Sequence, residues 1–285
     1  MGIRNNYAFS IRFWGVRGSI PCANTEYMSF GGNTSCVQIL IPDSDEFIVL
    51  DCGSGIRKLG EQLISNKDHL NGKIFVTHAH WDHIQGFPFF KPIYCDDRII
   101  EIYYPHKQDG DCKRAMTTQL TPAHFPVTPE MLNATIKYID FRKNTLVFNG
   151  YEVSYKQAAH PVNTAMYKLN IDGKTVVYAP DNELNLKTQS KFLNEFKEFI
   201  QDVDVLIHDA NFDRISYSTK HSWGHSAWED VVEIAAICNV RNLFLTHHDP
   251  TSTDEIMDIR AGLLSKFEDK FDSVQFAKEG STFNF

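Results

Sequence analysis

One stretch constrains this chain more than any other: Thr77-His78-Ala79-His80-Trp81-Asp82-His83, directly after the apolar run Ile74-Phe75-Val76. Three imidazoles and a carboxylate in six residues, at the mouth of a predicted buried strand, are poor material for a core. His78 and His80 are two apart, so on extended backbone both side chains leave the same face. Asp82 and His83 are adjacent and must diverge, which suits a second centre better than the first. Neutral imidazole nitrogen and carboxylate oxygen are ligands that zinc, manganese and iron accept. The plainer alternative is a solvated His-rich turn. The spacing reads as a two-metal site.

At 285 residues the chain can bury one large core or two modest ones, and 42% hydrophobic with 22% charged residues suits an ordinary globular protein. No apolar run reaches the length of a membrane span, so no membrane association is expected. Met1 to Ser10 is polar and short, which predicts no signal peptide and a cytoplasmic location. The six cysteines (Cys22, Cys36, Cys52, Cys95, Cys112, Cys238) lack paired spacing and read as free thiols, none assigned to metal. Net charge is −8 and the basic residues are dispersed among acids. A protein gripping a long nucleic acid usually carries a basic stripe, so long nucleic acid is disfavoured as a partner. The balance tilts toward a small substrate whose charge is met locally by metal, although a local patch on an acidic protein is compatible with RNA.

Strands are expected at Ile11–Phe13, Cys36–Ile41, Phe47–Leu50 and Lys73–Thr77, with a helix over Ile56–Leu70. Between Gly86 and Arg142 the pattern weakens. A strand over Ile99–Tyr104, a helix over Cys112–Gln119 and the aromatics Phe87, Phe89 and Phe90 make residues 86–142 a candidate insertion covering the site. The run Lys107-Gln108-Asp109-Gly110-Asp111 reads as solvated loop. Strands return at Thr135–Phe141, Thr145–Val147, Tyr151–Ala158, Ala165–Ile171 and Thr175–Tyr178, with Asp172-Gly173 as a hairpin turn. Helices are expected over Lys187–Ile200, Ala227–Cys238 and Asp254–Phe271. Strands are expected at Val203–Ile207, Asn242–Thr246, Val274–Phe276 and Thr282–Phe283. No repeat or linker stands out, so residues 1–285 are read as a single domain, an α/β chain with two sheets packed face to face and helices outside.

Ligands of a two-metal centre need not be close in sequence. His160, Asp181 and His247 each follow an apolar strand at its C-terminal end, where loops gather and sites are built.

With these residues in place the chain resembles the metallo-β-lactamase superfamily, in its phosphodiesterase-type branch. The resemblance runs from Arg12-Phe13-Trp14-Gly15-Val16-Arg17-Gly18-Ser19 to His247-His248-Asp249-Pro250, and the opening motif His-x-His-x-Asp-His is matched in full. It implies an αββα sandwich of two mixed sheets. It implies that His78, His80 and His160 hold one divalent ion, that Asp82, His83 and His247 hold the other, and that Asp181 bridges them. His247 is preferred to His248 because the family's last ligand follows its strand immediately. Zn2+ is the first choice, with Mn2+ or Fe2+ as alternatives. Two ions about 3.5–4 Å apart fit phosphoester hydrolysis by a hydroxide-like water held between them. Asp82 is a candidate to orient or deprotonate that nucleophile, and Asp51 resembles the family's buried acid that orients a ligand.

Trp223-Gly224-His225-Ser226 resembles the branch's Gly-His-Ser at the head of a helix. His225 would then meet the phosphate and act as general acid, supported by Asp209 where related transfer-RNA processing endonucleases tend to have Glu. That shorter side chain leaves the distance to be settled. Asn33, Thr34 and Ser226 are candidates for the substrate edge. The expected function is a two-metal phosphodiesterase for a small, cyclic nucleotide or sugar phosphodiester. Related transfer-RNA endonucleases carry a long arm between the positions of His160 and Asp181, where only a hairpin fits here. The alternatives are a nuclease cutting short RNA or DNA ends and a non-catalytic metal-binding or cofactor-pathway protein. The latter often loses ligands, whereas this chain keeps all seven. A homodimer whose partner closes the pocket is compatible with the sequence.

Overall fold

Short apolar, β-branched and aromatic runs become strands, and the chain sorts them into two sheets of seven. A computed structural model describes residues 7–66, 71–105, 111–143, 145–188 and 190–285. The first half contributes β1 (Ser10–Gly15), β2 (Cys36–Leu40), β3 (Glu46–Leu50), β4 (Asn71–Phe75), β5 (Ile99–Pro105) and β6 (Thr135–Phe141). The second contributes β7 (Thr145–Phe148), β8 (Tyr151–Gln157), β9 (Ala165–Ile171), β10 (Lys174–Ala179), β11 (Val205–Asp209), β12 (Asn242–Thr246) and β13 (Ser273–Phe276). The last strand, β14 (Thr282–Asn284), returns to pair with β1. The orders are β14-β1-β2-β3-β4-β5-β6 and β13-β12-β11-β10-β9-β8-β7. Both sheets are mixed: β3 to β6 run parallel, as do β10 to β13, and the remaining pairs are antiparallel.

Parallel strands are buried on both faces, and the alternation of side chains shows where each face goes. In β10, Val176 and Tyr178 point between the sheets while Val177 and Ala179 point outward beneath helices. In β12, Phe244 points between the sheets and Leu243 and Leu245 point outward. The first sheet repeats this, with Ile48, Leu50 and Phe75 inside against Val49, Ile74 and Val76 outside. Helices cover the outer faces. On the first sheet, α1 (Ile56–Asn66), the short α2 (Trp81–Ile84) and α3 (Cys112–Thr117) bury Ile56, Leu59, Ile84 and Met116. In the second half, α4 (Ser190–Ile200), α6 (Trp228–Ile237) and α7 (Asp254–Leu263) bury Phe196, Ile200, Val231 and Met257, and α5 (Arg214–Tyr217) sits between α4 and α6 in the chain. The result is the αββα sandwich of the metallo-β-lactamase fold.

Several boundaries move. The first helix is seen to Asn66, and its expected end at Leu70 lies outside the described residues, as do residues 107–110 of the expected loop. The helix expected from Lys187 starts at Ser190. The last helix ends at Leu263 and tightens into a 3-10 turn over Leu264–Lys270, just past Gly262, where helix propensity is weak. Of residues 86–142, β5 and β6 are sheet strands rather than cover: β5 pairs with β4 and β6 extends the edge. Outside these strands, Phe89, Gln119 and Phe125 line a cavity beside His80, while Phe87 and Phe90 are packed in the core. No helix among the described residues is long and apolar enough to cross a membrane.

Phe75 is fully buried between the sheets, stacked on Tyr103 at 4.8 Å and edge-on to Tyr167 at 5.6 Å. Phe75→Ala is expected to lower unfolding free energy by about 3–5 kcal/mol, read from urea denaturation.

Candidate metal centre

β10, β11 and β12 run parallel, and β8 runs in the same direction two places along the sheet, so their C-terminal ends share one edge. Loops after these strands carry His160, Asp181 and His247. Those after β3 and β4 of the facing sheet carry Asp51 and the segment His78 to His83. The strands deliver the side chains, and the two sheets meet there: Thr77 O accepts from Ala165 N, and the Tyr167 hydroxyl donates to Val76 O at 2.8 Å.

Two groups of side chains result. His78, His80, His160 and Asp181 form one group and Asp82, His83 and His247 the other, each with donor atoms within 4.8 Å of one another. Asp181 faces both. Its Oδ2 lies 3.6 Å from His78 Nε2 and 3.7 Å from His160 Nε2. Its Oδ1 lies 2.9 Å from His83 Nε2 and 3.2 Å from His247 Nε2. Asp82 Oδ2 closes the second group, 3.3 Å from His83 Nε2 and 3.1 Å from His247 Nε2. His80 Nδ1 lies 3.2 Å from His160 Nε2 in the first. Zinc–nitrogen bonds near 2.0–2.1 Å put tetrahedral donors about 3.4 Å apart, so these separations suit a shared cation.

The unpaired atoms support the same fit. His78 Nε2, His83 Nε2 and Asp181 Oδ1 are buried and make no hydrogen bond, though their neighbours lie within a few ångströms. Buried polar atoms left in this state cost free energy unless something else satisfies them. Among the described residues no lysine or arginine pairs with Asp51, Asp82 or Asp181; only imidazoles do. Burial holds the pKa values of His78, His80 and His160 below the ordinary imidazole range, which leaves lone pairs available for a cation. Burial also opposes a charge on His83, but Asp181, Asp82 and Asp51 outweigh it and push that pKa well up. The carboxylates therefore call for positive charge. Two divalent ions would supply it.

The ring orientations are set from behind. Asp51, fully buried, accepts from His83 Nδ1 at 2.7 Å, Thr77 N at 2.7 Å and the Tyr178 hydroxyl at 2.9 Å. With its Nδ1–H directed to Asp51, His83 turns Nε2 toward the group. His160 Nδ1 donates to Gly224 O at 3.1 Å. Gly224 belongs to a loop held by Glu183, whose buried carboxylate accepts from Gly224 N, Ser222 N and the Tyr217 hydroxyl. Asp51 and His247 both adopt φ near 60°, a left-handed conformation uncommon outside glycine. Asn211 donates to His247 O at 2.9 Å, and Gly18 lies so close to the His247 ring that a methyl group would overlap it.

His225 stands beside both groups, stacked on His247 at 4.9 Å and 5.5 Å from the His160 ring, and it can also join Asp181 and His247 around an ion. Its Nδ1 lies 2.6 Å from Asp209 Oδ2, so the shorter acid reaches it. Burial works against a charge on His225, but the Asp209 carboxylate more than offsets it and the pKa is pushed up to about 9.

Other expected residues are placed differently. Thr34 is fully buried and its hydroxyl accepts from Ser54 N and Gln85 Nε2. Asn33 spans Glu279 and the Ser54 hydroxyl. Ser226 is fully buried, donating to Asn182 O and accepting from Leu184 N. These three hydrogen-bond other residues of the chain and brace the loops behind the site. His248 turns away to Ala277 O, leaving His247 in the group. All six cysteines are free and none enters a metal-capable group among the described residues. The sequence reading did not single out Thr77, Glu183 or Asn211. The only signal for Glu183 was its place two residues after Asp181.

A model of the beta-lactamase superfamily domain matches residues 47–248. The chain is 25% identical to a ribonuclease Z of Prochlorococcus marinus (strain MIT 9312) over 313 aligned positions, covering 95% of this chain and 97% of the relative. Among solved structures it is similar to the metallo-beta-lactamase fold protein YhfI from Bacillus subtilis, with TM-score 0.71, 21% identity and coverage of 97% of this chain and 99% of the other. A diphosphatase of the PhnP family superposes with TM-score 0.70 at 15% identity, covering 97% and 98%.

Gly224 has φ 86°, and a methyl group added there would overlap the His160 ring. Gly224→Ala is expected to cost about 1 kcal/mol or more of stability, read from denaturant unfolding, and to displace His160 in a crystal structure of the variant.

Proposed function

The chain belongs to the beta-lactamase superfamily, and from that premise we propose that it is a two-metal phosphodiesterase acting on a small phosphodiester, a cyclic nucleotide or sugar phosphate first among them. The observation that carries this reading is Asp181, with one oxygen turned to each histidine group. In this reading His78, His80 and His160 hold one ion, Asp82, His83 and His247 the other, and Asp181 bridges. The ligand set favours Zn2+, with Mn2+ or Fe2+ as alternatives. Bound there, two divalent ions activate water and offset the charge that develops on a phosphate.

This chain's own residues do the rest. Asp82 accepts from Ser19 N at 2.7 Å, which fixes the carboxylate from the rim and leaves it able to orient a water. His225 has its Nδ1 on Asp209, so Nε2 is the atom free to give a proton to the leaving oxygen. A charged His225 also attracts an anionic phosphate. The interval from His160 to Asp181 contains only the hairpin β9–β10, turning at Asp172-Gly173, which leaves no arm to grip a large RNA. Net charge of −8 supports the same preference.

A second reading, cleavage near the ends of short RNA, is favoured by the relatives named ribonuclease Z. A panel of cyclic and linear phosphodiesters beside single-stranded and structured RNA separates the two; turnover of RNA alone would reject the small substrate. His225→Ala is expected to lower turnover about 10²–10⁴-fold with two metal equivalents retained. Matching loss of metal would recast His225 as a ligand. Asp51→Asn is expected to weaken metal binding about 10–100-fold in competition with a chelator, because one of the two oxygens that accept from His83, Thr77 and Tyr178 becomes an NH2 donor and the charge behind His83 is lost.

A further inference from the structure

A cavity of about 670 Å³ opens beside the metal groups, with His80 and Val162 in its wall. We propose that it holds the nucleobase of the substrate and prefers a base carrying an exocyclic amino group. The proposal rests on the phosphodiesterase reading and names the organic group that reading leaves open.

The size is right for a nucleoside-sized group, and the lining is largely apolar and aromatic. Phe89 and Phe125 meet edge to face at 5.3 Å and 79°. Phe89 is 52% exposed and Trp81, adjoining His80, is 78% exposed. Large aromatic faces left open beside a catalytic edge suit a flat ring that stacks. Arg114 adds positive charge to the same wall and makes no ion pair among the described residues.

The amides in the wall supply the selectivity. Gln119 Nε2 donates to Ile84 O at 2.9 Å and Met116 O at 3.4 Å. Asn163 Nδ2 donates to Pro105 O at 3.3 Å. Because both NH2 groups face backbone carbonyls, the orientation of each amide follows from chemistry. What remains on the wall is an acceptor: Gln119 Oε1 takes no hydrogen bond from any described residue, while Asn163 Oδ1, also without a partner, is buried beneath the surface. Gln85 repeats the pattern, its Nε2 donating to Thr34 Oγ1. An amide oxygen left without a donor complements a ligand that brings an N–H group, while the Arg114 guanidinium in the same wall can donate to a ring nitrogen or carbonyl of that ligand. The amino group of adenine, cytosine or guanine brings such an N–H, and an apolar ring does not.

The test compares adenosine 5′-monophosphate with purine riboside 5′-monophosphate, which lacks only the 6-amino group, by calorimetry on the zinc-loaded protein. Adenosine is expected to bind about fivefold or more tightly. In Gln119→Leu that ratio is expected to fall to about one. Phe89→Ala is expected to weaken both nucleotides about tenfold while keeping the ratio, which keeps the test decisive should Gln119→Leu misfold. Equal affinities in the wild type, no binding of either nucleotide, a ratio unchanged in Gln119→Leu, or unchanged affinity in Phe89→Ala would each overturn the proposal. Hydrolysis of bis(p-nitrophenyl) phosphate, which has no base, is measured in parallel. If it is hydrolysed while the nucleotides bind equally, only the base site fails. If it is not hydrolysed while the adenine preference holds, the phosphodiesterase reading fails and the base site stands.

Discussion

Three carboxylates buried in one pocket, with no lysine or arginine paired to them among the described residues, are the constraint on which this structure turns. Asp51, Asp82 and Asp181 are each at most 6% exposed. Burying an ionised acid is expensive unless an opposite charge and good hydrogen bonds compensate. Asp51 is compensated by hydrogen bonds from His83, Thr77 and Tyr178. Asp82 and Asp181 face imidazole nitrogens whose lone pairs, once the rings are neutral, can add nothing to them. A cation between donor and acceptor resolves both deficits together.

The surrounding scaffold fits this demand. Strong orientation of His83 by Asp51, and of His160 by the Gly224 carbonyl, removes the rotational freedom that metal binding would otherwise cost. Glu183 extends the chain of support by pinning the loop that carries Gly224 and His225. One buried acid thus positions both an imidazole of the metal group and the neighbouring candidate acid. The left-handed backbone at Asp51 and His247 belongs to the same pattern, since strain tolerated at two positions aims two side chains.

Much of this was legible in one dimension. The parallel strands announced themselves as short continuous apolar runs, because both of their faces are buried, and the turn at Asp172-Gly173 followed from its residue types. His78, His80, Asp82 and His83 were legible because four such residues in six have no role in a core. In the stretch 86–142 the strands β5 and β6 were legible at Ile99–Tyr104 and Thr135–Phe141, and less was visible of the aromatic segments around them. Whether an aromatic run is strand or cavity wall depends on what lies opposite. The hydrogen bonds of Asn33, Thr34 and Ser226 were illegible for a related reason: a hydroxyl or amide beside a site has the same letter whether it faces open space or a backbone carbonyl.

The amino-acid sequence by itself determined the two-sheet architecture, the strand-end positions of the seven candidate ligands and the acidic balance of the chain, because hydrophobic periodicity and residue chemistry are local properties. Only the tertiary structure decided that Asp181 turns one oxygen to each histidine group, that Asp209 reaches His225 at 2.6 Å, and that amides of the cavity wall turn their NH2 groups to backbone carbonyls. Those facts depend on which atoms from distant strands face one another, and side-chain direction is settled by packing across the sandwich.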